Sequence, residues 1–229
     1  MIDYKNRSLK KELLDQNDIP FEDIALNMKE LNFINSVLGG HTITIKGFKD
    51  LLQDKKKISV CEIGGGVGDN MEVIYKFCKR NNIISSFTGI DINNECIAFA
   101  KGKSKIENVN FIVSDYLNVD FGTTKPDIIF SSLFCHHFND SEIITMLKWM
   151  DANSNIGFFI NDLHRHPLAY HFIKLTTQLF SKSYLVKNDA PLSVLRGFKK
   201  QDWENTLRKS DLTDYTVKWQ WAFRYLITV

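Results

Sequence analysis

The sequence has few of the residues that cross-link small secreted proteins or span membranes. It contains 4 cysteines in 229 residues, none in a C-x-x-C pair, so neither a disulfide framework nor a structural zinc site is expected. No apolar run approaches the roughly 20 residues that cross a bilayer, and the N-terminal stretch lacks the apolar core of a signal peptide. These absences predict a soluble, cytoplasmic protein with reduced thiols and no membrane span.

Charge of one sign is also lacking. The formal net charge is +2, which gives no reason to expect nucleic acid or an anionic membrane as a partner. The chain is 44% hydrophobic and 24% charged, as in ordinary globular proteins, and its length suits a single domain with appendages. The sequence leaves the oligomeric state open.

From residue 57 onward, short apolar runs alternate with helical patterns. The strand-like runs are ISVCEI, IISSFTGIDI, VNFIVSDY, PDIIFSSLF and NIGFFIND, and amphipathic segments such as DNMEVIYKFCKR and SEIITMLKWM separate them. Near-continuous apolar strands between helices predict a parallel sheet covered on both faces. The last two runs, LTDYTVKW and WAFRYLITV, are nearly contiguous and are expected to pair as an antiparallel unit at the sheet edge.

Two segments fall outside this alternation. Residues 1–56 have a helical pattern and are predicted to form an N-terminal cap, with the main domain over 57–229. Residues 163–198 form an insertion after the fifth strand, and their length and aromatic content predict a helical lid over the active edge. Both segments are expected to close over bound ligands.

The most informative motif is ISVCEIGGGVGDN, in which a strand ends at Glu62 and a helix begins after three alternating glycines. Gly64, Gly66 and Gly68 permit positive φ and close approach of a ligand to the backbone. The helix N-terminus adds free N–H donors. A dinucleotide G-x-G-x-x-G pattern fails because its last position is Asp69, and no Gly-Lys-Ser/Thr follows as in a P-loop.

This pattern, E-x-G-x-G-x-G, resembles the first motif of the class I S-adenosylmethionine-dependent methyltransferases. Asp91, which ends the second strand, matches the acidic residue that binds the ribose hydroxyls in that family, and Asp115, after the third strand, matches the acidic residue near the adenine amino group. The resemblance implies a seven-stranded doubly wound Rossmann-like sheet with an antiparallel last strand. It also implies S-adenosyl-L-methionine as cofactor and S-adenosyl-L-homocysteine as product. The implied cofactor-binding residues are Glu62, Gly64, Gly66, Gly68, Asp91, Ile92, Asp115 and Tyr116.

The loop after the fourth strand, SSLFCHHFND, contains adjacent histidines. His136 and His137 resemble the Leu-His-His sequence of methyltransferases that act on quinones and related aromatic rings. One of them acts as a base or touches the acceptor, or else both pack and cap neighbouring helices. A metal site is not expected here, because adjacent residues rarely converge on one ion.

The loop after the fifth strand, NDLHRHPLAYHFIK, gathers further ionisable residues at the same sheet edge. His164 is the favoured base, because His166 precedes Pro167 and is expected to belong to the helix start. Arg165 either holds an acidic group of the acceptor or pairs with Asp162. Further candidate acceptor contacts, each also explicable by packing, are Arg196, Tyr170 and His41.

The predicted reaction is methyl transfer to a hydrophobic small molecule, on oxygen or carbon of an aromatic, quinone-like or polyketide-derived ring. Two alternatives remain open: a protein or nucleic acid acceptor, and a non-catalytic cofactor-binding partner protein. The absence of an Asn-Pro-Pro-Tyr or Asp-Pro-Pro-Tyr signature after the fourth strand disfavours methylation of nucleic acid amino groups.

Overall fold

The computed structural model describes residues 2–16 and 19–229; residues 1, 17 and 18 of the predicted N-terminal cap lie outside the described residues. The strands are β1 (Lys57–Ile63), β2 (Ile84–Asp91), β3 (Val109–Val113), β4 (Ile128–Ser132), β5 (Gly157–Leu163), β6 (Thr216–Gln220) and β7 (Arg224–Thr228). The α-helices are α1 (Phe21–Val37), α2 (Gly40–Leu52), α3 (Asp69–Arg80), α4 (Asn94–Lys103), α5 (Asp140–Asn153), α6 (Pro167–Phe180), α7 (Tyr184–Arg196) and α8 (Lys200–Lys209). Short 3₁₀ helices span Leu13–Asp15, Tyr116–Asn118 and Cys135–His137.

The strands form one seven-stranded sheet in the order β3-β2-β1-β4-β5-β7-β6. Strands β1 to β5 run parallel, and β7 pairs antiparallel with both β5 and β6. The predicted doubly wound sheet and its antiparallel edge are therefore confirmed. The strand order reverses between β1 and β4, so the crevice at the carboxyl ends of these strands is where such a sheet binds ligands.

The apolar runs form the two faces of the core. All of β4 is buried, and the apolar residues of α3 and α5 that recur at helical spacing face the sheet. The four cysteines are buried free thiols. Among the described residues, no helix is both long and apolar enough to cross a bilayer.

The predicted cap contains two helices with different environments. Helix α2 is part of the core, where Phe48 is fully buried and Gly47 lies against Phe159 and Leu226. Helix α1 instead leaves Phe33 and Val37 exposed. The predicted lid segment folds as α6 and α7, which pack against each other. Whether these segments close over ligands stays a prediction.

Two helical glycines give opposite expectations for the same substitution. A Cβ at Gly47 lies 2.5 Å from a ring carbon of Phe159 and 2.9 Å from a methyl of Leu226, whereas a Cβ at Gly102 meets nothing within 4 Å. We predict that Gly47→Ala lowers the free energy of unfolding by about 1–3 kcal/mol because the core is overpacked. Gly102→Ala is predicted to raise it by up to about 1 kcal/mol through helix propensity.

Denaturant unfolding of both variants measures the difference. Equal free energies of unfolding in the two variants would show that the contact between α2 and the sheet accommodates the added methyl group without loss of stability.

Candidate active site

Three glycines allow the chain to turn between β1 and α3, and this segment, residues 64–68, is called the glycine turn. Gly64, Gly66 and Gly68 have φ values of 64°, 52° and 76°, the left-handed region that strains other residues. Gly68 is the N-cap of α3 and offers no side-chain acceptor, so it leaves N–H groups of the first helical turn free. The turn therefore presents backbone donors at the crevice, as the motif predicts.

Two acidic side chains fix the shape of this turn. Asp91, at the end of β2, accepts hydrogen bonds from the backbone N–H groups of Gly66 and Asn93, both at 2.9 Å. Glu62 lies fully buried beneath the turn, where the Asn70 amide donates to its Oε1 at 3.1 Å. The other oxygen, Oε2, is buried without a hydrogen-bond partner among the described residues, and burial raises the pKa of Glu62 to about 8. A ligand that brings a donor or a positive charge fits this unpartnered oxygen.

The carboxyl ends of β2 and β3 carry exposed apolar side chains beside their acidic residues. Ile92, Val113 and Leu117 are 75%, 45% and 46% exposed. Asp115 accepts a hydrogen bond from the N–H of Leu117 at 3.0 Å, and its neighbour Tyr116 is buried against Trp149. Apolar surface flanked by carboxylates suits a nucleoside, whose ring is apolar and whose hydroxyls and amine donate hydrogen bonds.

Two side chains from distant segments lie over the glycine turn. The methyl of Met28, in α1, lies 2.7 Å from the position of a Cβ at Gly66, and the ring of Phe134 occupies the space beside Gly64. Phe134 belongs to the loop between β4 and α5 that contains the adjacent histidines. This contact holds that loop directly against the glycine turn.

The histidines predicted as catalytic separate into two groups. His164 and His166 stack near Phe223 and Tyr225 on the β7 side of the sheet. They border an open cleft of about 560 Å³, and no residue of the glycine turn is among the described residues that line it. His136 and His137 instead lie together on the β4 side, with ring centroids 4.4 Å apart.

The hydrogen bonds of His164 do not suit a base. The indole N–H of Trp219 donates to its Nδ1 at 3.2 Å, so a neutral ring carries its proton on Nε2. Burial, with His166 and Arg165 nearby, lowers the pKa of His164 to about 4. His166 caps α6 by accepting from the N–H of Leu168 at 3.2 Å, which is a structural role.

The hydrogen bonds of the other pair leave Nε2 available on each ring. His136 Nδ1 lies 2.8 Å from Asp162 Oδ1, and His137 Nδ1 lies 3.0 Å from Asp15 Oδ1. Asp162 is fully buried; burial works to raise its pKa, yet the adjacent His136 and the backbone donors outweigh that effect and lower it. Each carboxylate favours the tautomer with hydrogen on Nδ1, so Nε2 keeps its lone pair.

The two candidate arginines are committed to the protein's own backbone. Arg165 donates to the carbonyls of Tyr4, Lys5 and Gly197 and to the carboxylate of Asp202. Its predicted ion pair with Asp162 is replaced by the one with Asp202, at 3.0 Å.

Arg196 donates to the carbonyls of Lys10, His136 and His137 at 2.6–2.9 Å. Both guanidinium groups are buried and hold the N-terminal segment in place, so we do not assign either of them to the acceptor.

Of the remaining candidates, Tyr170 is buried in α6 and packs edge-on against Tyr4. His41, at the start of α2, shares a hydrogen bond with Ser36 through Nδ1, and its buried Nε2 has no partner among the described residues. The sequence interpretation did not include Glu12, Asp15, Met28 or Phe134, which the fold brings to this edge. No local motif marks Glu12, Asp15 or Met28, whereas Phe134 lies in the SSLFCHHFND loop, in which only the histidines were singled out.

The comparisons with known proteins agree with this geometry. A family model described as a methyltransferase domain matches residues 60–181, more than half of the chain. The plantazolicin methyltransferase BpumL in complex with S-adenosylhomocysteine superposes with a TM-score of 0.66 at 22% identity, covering 90% of this chain and 75% of that one.

Two further structures are similar in fold. The magnesium protoporphyrin IX methyltransferase of Synechocystis PCC 6803 with bound S-adenosylhomocysteine has a TM-score of 0.52 at 13% identity, with 93% and 88% of the two chains covered. Human N-acetylserotonin methyltransferase in complex with S-adenosylmethionine has a TM-score of 0.59 at 20% identity, with 88% and 53% covered. No curated protein matches this chain in sequence.

The glycine turn, the seven-stranded sheet and the family match lead to one conclusion: the chain belongs to the methyltransferase-domain family and is an S-adenosylmethionine-dependent methyltransferase.

Proposed function

We propose that this enzyme transfers the methyl group of S-adenosylmethionine to a hydrophobic small molecule, on an oxygen or carbon atom of a ring, in small-molecule biosynthesis. The observation that carries the proposal is the contact of Phe134 with Gly64. This contact brings the loop with His136 and His137 next to the glycine turn. An acceptor has to lie beside that turn to meet the methyl group.

The cofactor has a set of residues that fits each of its parts. Asp91 is positioned to accept from the ribose hydroxyls, Asp115 to accept from the adenine amine, and Ile92 to pack on the adenosine. Glu62 offers its unpartnered oxygen to the positively charged amino acid portion. When bound, S-adenosylmethionine supplies an electrophilic methyl carbon on its sulfonium ion, and the chain supplies alignment and exclusion of water.

Exposed apolar side chains on the two outer helices support an apolar acceptor. Helix α1 exposes Phe33 and Val37, and α6 exposes an apolar stripe with helical spacing. The stripe consists of Leu168, Phe172, Leu175 and Leu179. Glu30 of α1 accepts hydrogen bonds from Ser181 and Lys182 beyond the end of α6, which joins the two helices. An acceptor of low polarity gains affinity from burying such surface.

The polar end of the acceptor is assigned to the His137 side rather than to His164. His137 keeps a lone pair on Nε2 and its side chain is 22% exposed, whereas His164 points its acceptor nitrogen at Trp219. His136 has the same tautomer as His137, but its side chain is only 4% exposed. The geometry therefore favours activation of the acceptor at His137.

The ribose contact is tested by Asp91→Ala. Loss of a charged acceptor for two hydroxyls is expected to weaken S-adenosylmethionine binding by about 1–3 kcal/mol, measured by calorimetry. Asp120→Ala is the matched control, because Asp120 is an exposed acidic residue whose hydrogen bond serves only a surface turn. Affinity in Asp91→Ala equal to that of the control would mean that the ribose lies elsewhere.

The activating residue is tested by incubating variants with isotope-labelled S-adenosylmethionine and an organic extract of cells, followed by mass spectrometry of the labelled products. We predict that His137→Ala lowers the initial rate at least about tenfold while cofactor affinity is retained, because the acceptor loses its activating contact. His164→Ala is expected to keep the rate within about threefold.

A large loss of rate in His164→Ala together with a nearly unchanged rate in His137→Ala would instead identify His164 as the base. Label found only in protein or nucleic acid would replace the small-molecule acceptor, and cofactor binding without any labelled product would favour a non-catalytic partner protein.

A further inference from the structure

Three metal-ligating side chains converge beneath the N-terminal segment. One donor atom each from Glu12, His136 and His137 lies within 4.8 Å of the other two. His136 Nε2 is 3.8 Å from Glu12 Oε1, and His137 Nε2 is 3.9 Å from Glu12 Oε2. These separations are too long for hydrogen bonds, so the three groups face one another without a shared proton.

Nδ1 of each ring forms the hydrogen bond to a carboxylate that metal-binding histidines commonly form with their second nitrogen. Asp162 accepts from Nδ1 of His136, and Asp15 accepts from Nδ1 of His137. A carboxylate on the far nitrogen fixes the tautomer that turns the Nε2 lone pair inward. Two such carboxylate–histidine pairs directed at one further carboxylate are more than packing requires.

Two neighbouring donors act on one oxygen of Glu12. The Ser193 hydroxyl donates to Glu12 Oε1 at 2.7 Å, and the Arg196 Nε lies 3.8 Å from the same oxygen. The N–H groups of Arg196 are directed at the carbonyls of Lys10, His136 and His137 and at the carboxylate of Asp15. The Glu12 and His136 side chains are each only 4% exposed, so water screens them little.

We propose that Glu12, His136 and His137 form a binding site for one divalent transition-metal ion. Two imidazole nitrogens and one carboxylate suit Zn²⁺, Co²⁺ or Fe²⁺ better than Mg²⁺ or Ca²⁺, which prefer oxygen ligands. Zinc with ligands at roughly 2.0–2.1 Å places neighbouring donor atoms about 3.4 Å apart. Each Glu12–histidine separation must therefore close by about half an ångström, and the two histidine donor atoms, which lie within 4.8 Å of each other, must close by at most about 1.4 Å.

The ion has a structural consequence and a chemical one. It fastens the N-terminal segment that contains Glu12 to the loop after β4. When the ion is bound it takes the Nε2 lone pair of His137, so the ion rather than that nitrogen would meet the polar end of the acceptor and acidify an acceptor oxygen. This second consequence rests on the proposed function, whereas the site itself does not.

The first experiment uses the full-length, tag-free protein after treatment with a chelator and dialysis. Calorimetric titration with zinc chloride is expected to show one saturable site per chain. Titration with Co²⁺ is expected to give visible ligand-field bands with the intensity of a low-coordinate site. Both measurements are made on the wild type, so they do not depend on the folding of a variant.

The second experiment assigns the ligands. Glu12→Gln, nearly isosteric, and His137→Ala are each expected to weaken zinc binding at least about tenfold. His171→Ala is the matched control, because His171 is an exposed histidine that contacts only Tyr4 among the hydrogen-bond partners described. Affinity for S-adenosylmethionine, measured in parallel, shows that each variant has folded.

Absence of saturable zinc binding up to millimolar concentration overturns the proposal, as does equal zinc affinity in Glu12→Gln, His137→Ala and the control. A protein that methylates an acceptor but binds no metal contradicts only this inference. A protein that binds the metal through these residues but yields no methylated small molecule contradicts only the proposed function.

Discussion

A buried carboxylate at the end of β5 organises the edge of the sheet at which the reaction is placed. Asp162 is fully buried, and its oxygens accept from the ring and backbone N–H groups of His136 and from the backbone N–H of Leu163. Each of these hydrogen bonds offsets the cost of taking a charge out of water. Together they fix the loop after β4 against β5, and that loop in turn seats Phe134 on the glycine turn. The orientation of His136 and the position of Phe134 on the glycine turn therefore follow from one satisfied charge.

The N-terminal segment depends on two further buried charges. Arg165 binds the carbonyls of Tyr4 and Lys5, and Arg196 binds the carbonyl of Lys10, so residues 4–10 are held by cations from the opposite end of the chain. Glu12 follows directly and reaches the histidines as a result. Both buried guanidinium groups donate hydrogen bonds to backbone carbonyls, so they position the site without contacting the acceptor. Arginines near an active edge therefore need not be ligand contacts.

The sequence predicted the parts of the molecule that depend on neighbouring residues. The alternating apolar runs, the turn at Gly64 to Gly68 and the carboxylate at the end of β2 are local patterns. The fold class followed from the runs, and the cofactor class followed from the resemblance of the turn and the carboxylate to those of the class I methyltransferases. The choice of His164 as base rested only on its place after β5. The chain turns there toward β7, where the N–H of His164 donates to the carbonyl of Phe223, and no local pattern reports that direction. The proximity of Glu12 to His136 could not be predicted from the sequence either, since it depends on contacts between distant segments.

The two halves of this site consequently differ in how they are encoded. The proposed cofactor half lies on the three consecutive strands β1, β2 and β3 and the turns that follow them, so one continuous stretch of chain sets most of its geometry. The proposed acceptor half combines the N-terminal segment, α1, the loop after β4 and the α6–α7 insertion, which meet only in the folded protein. The family match over residues 60–181 therefore shows the reaction, whereas the acceptor has to be argued from the site itself.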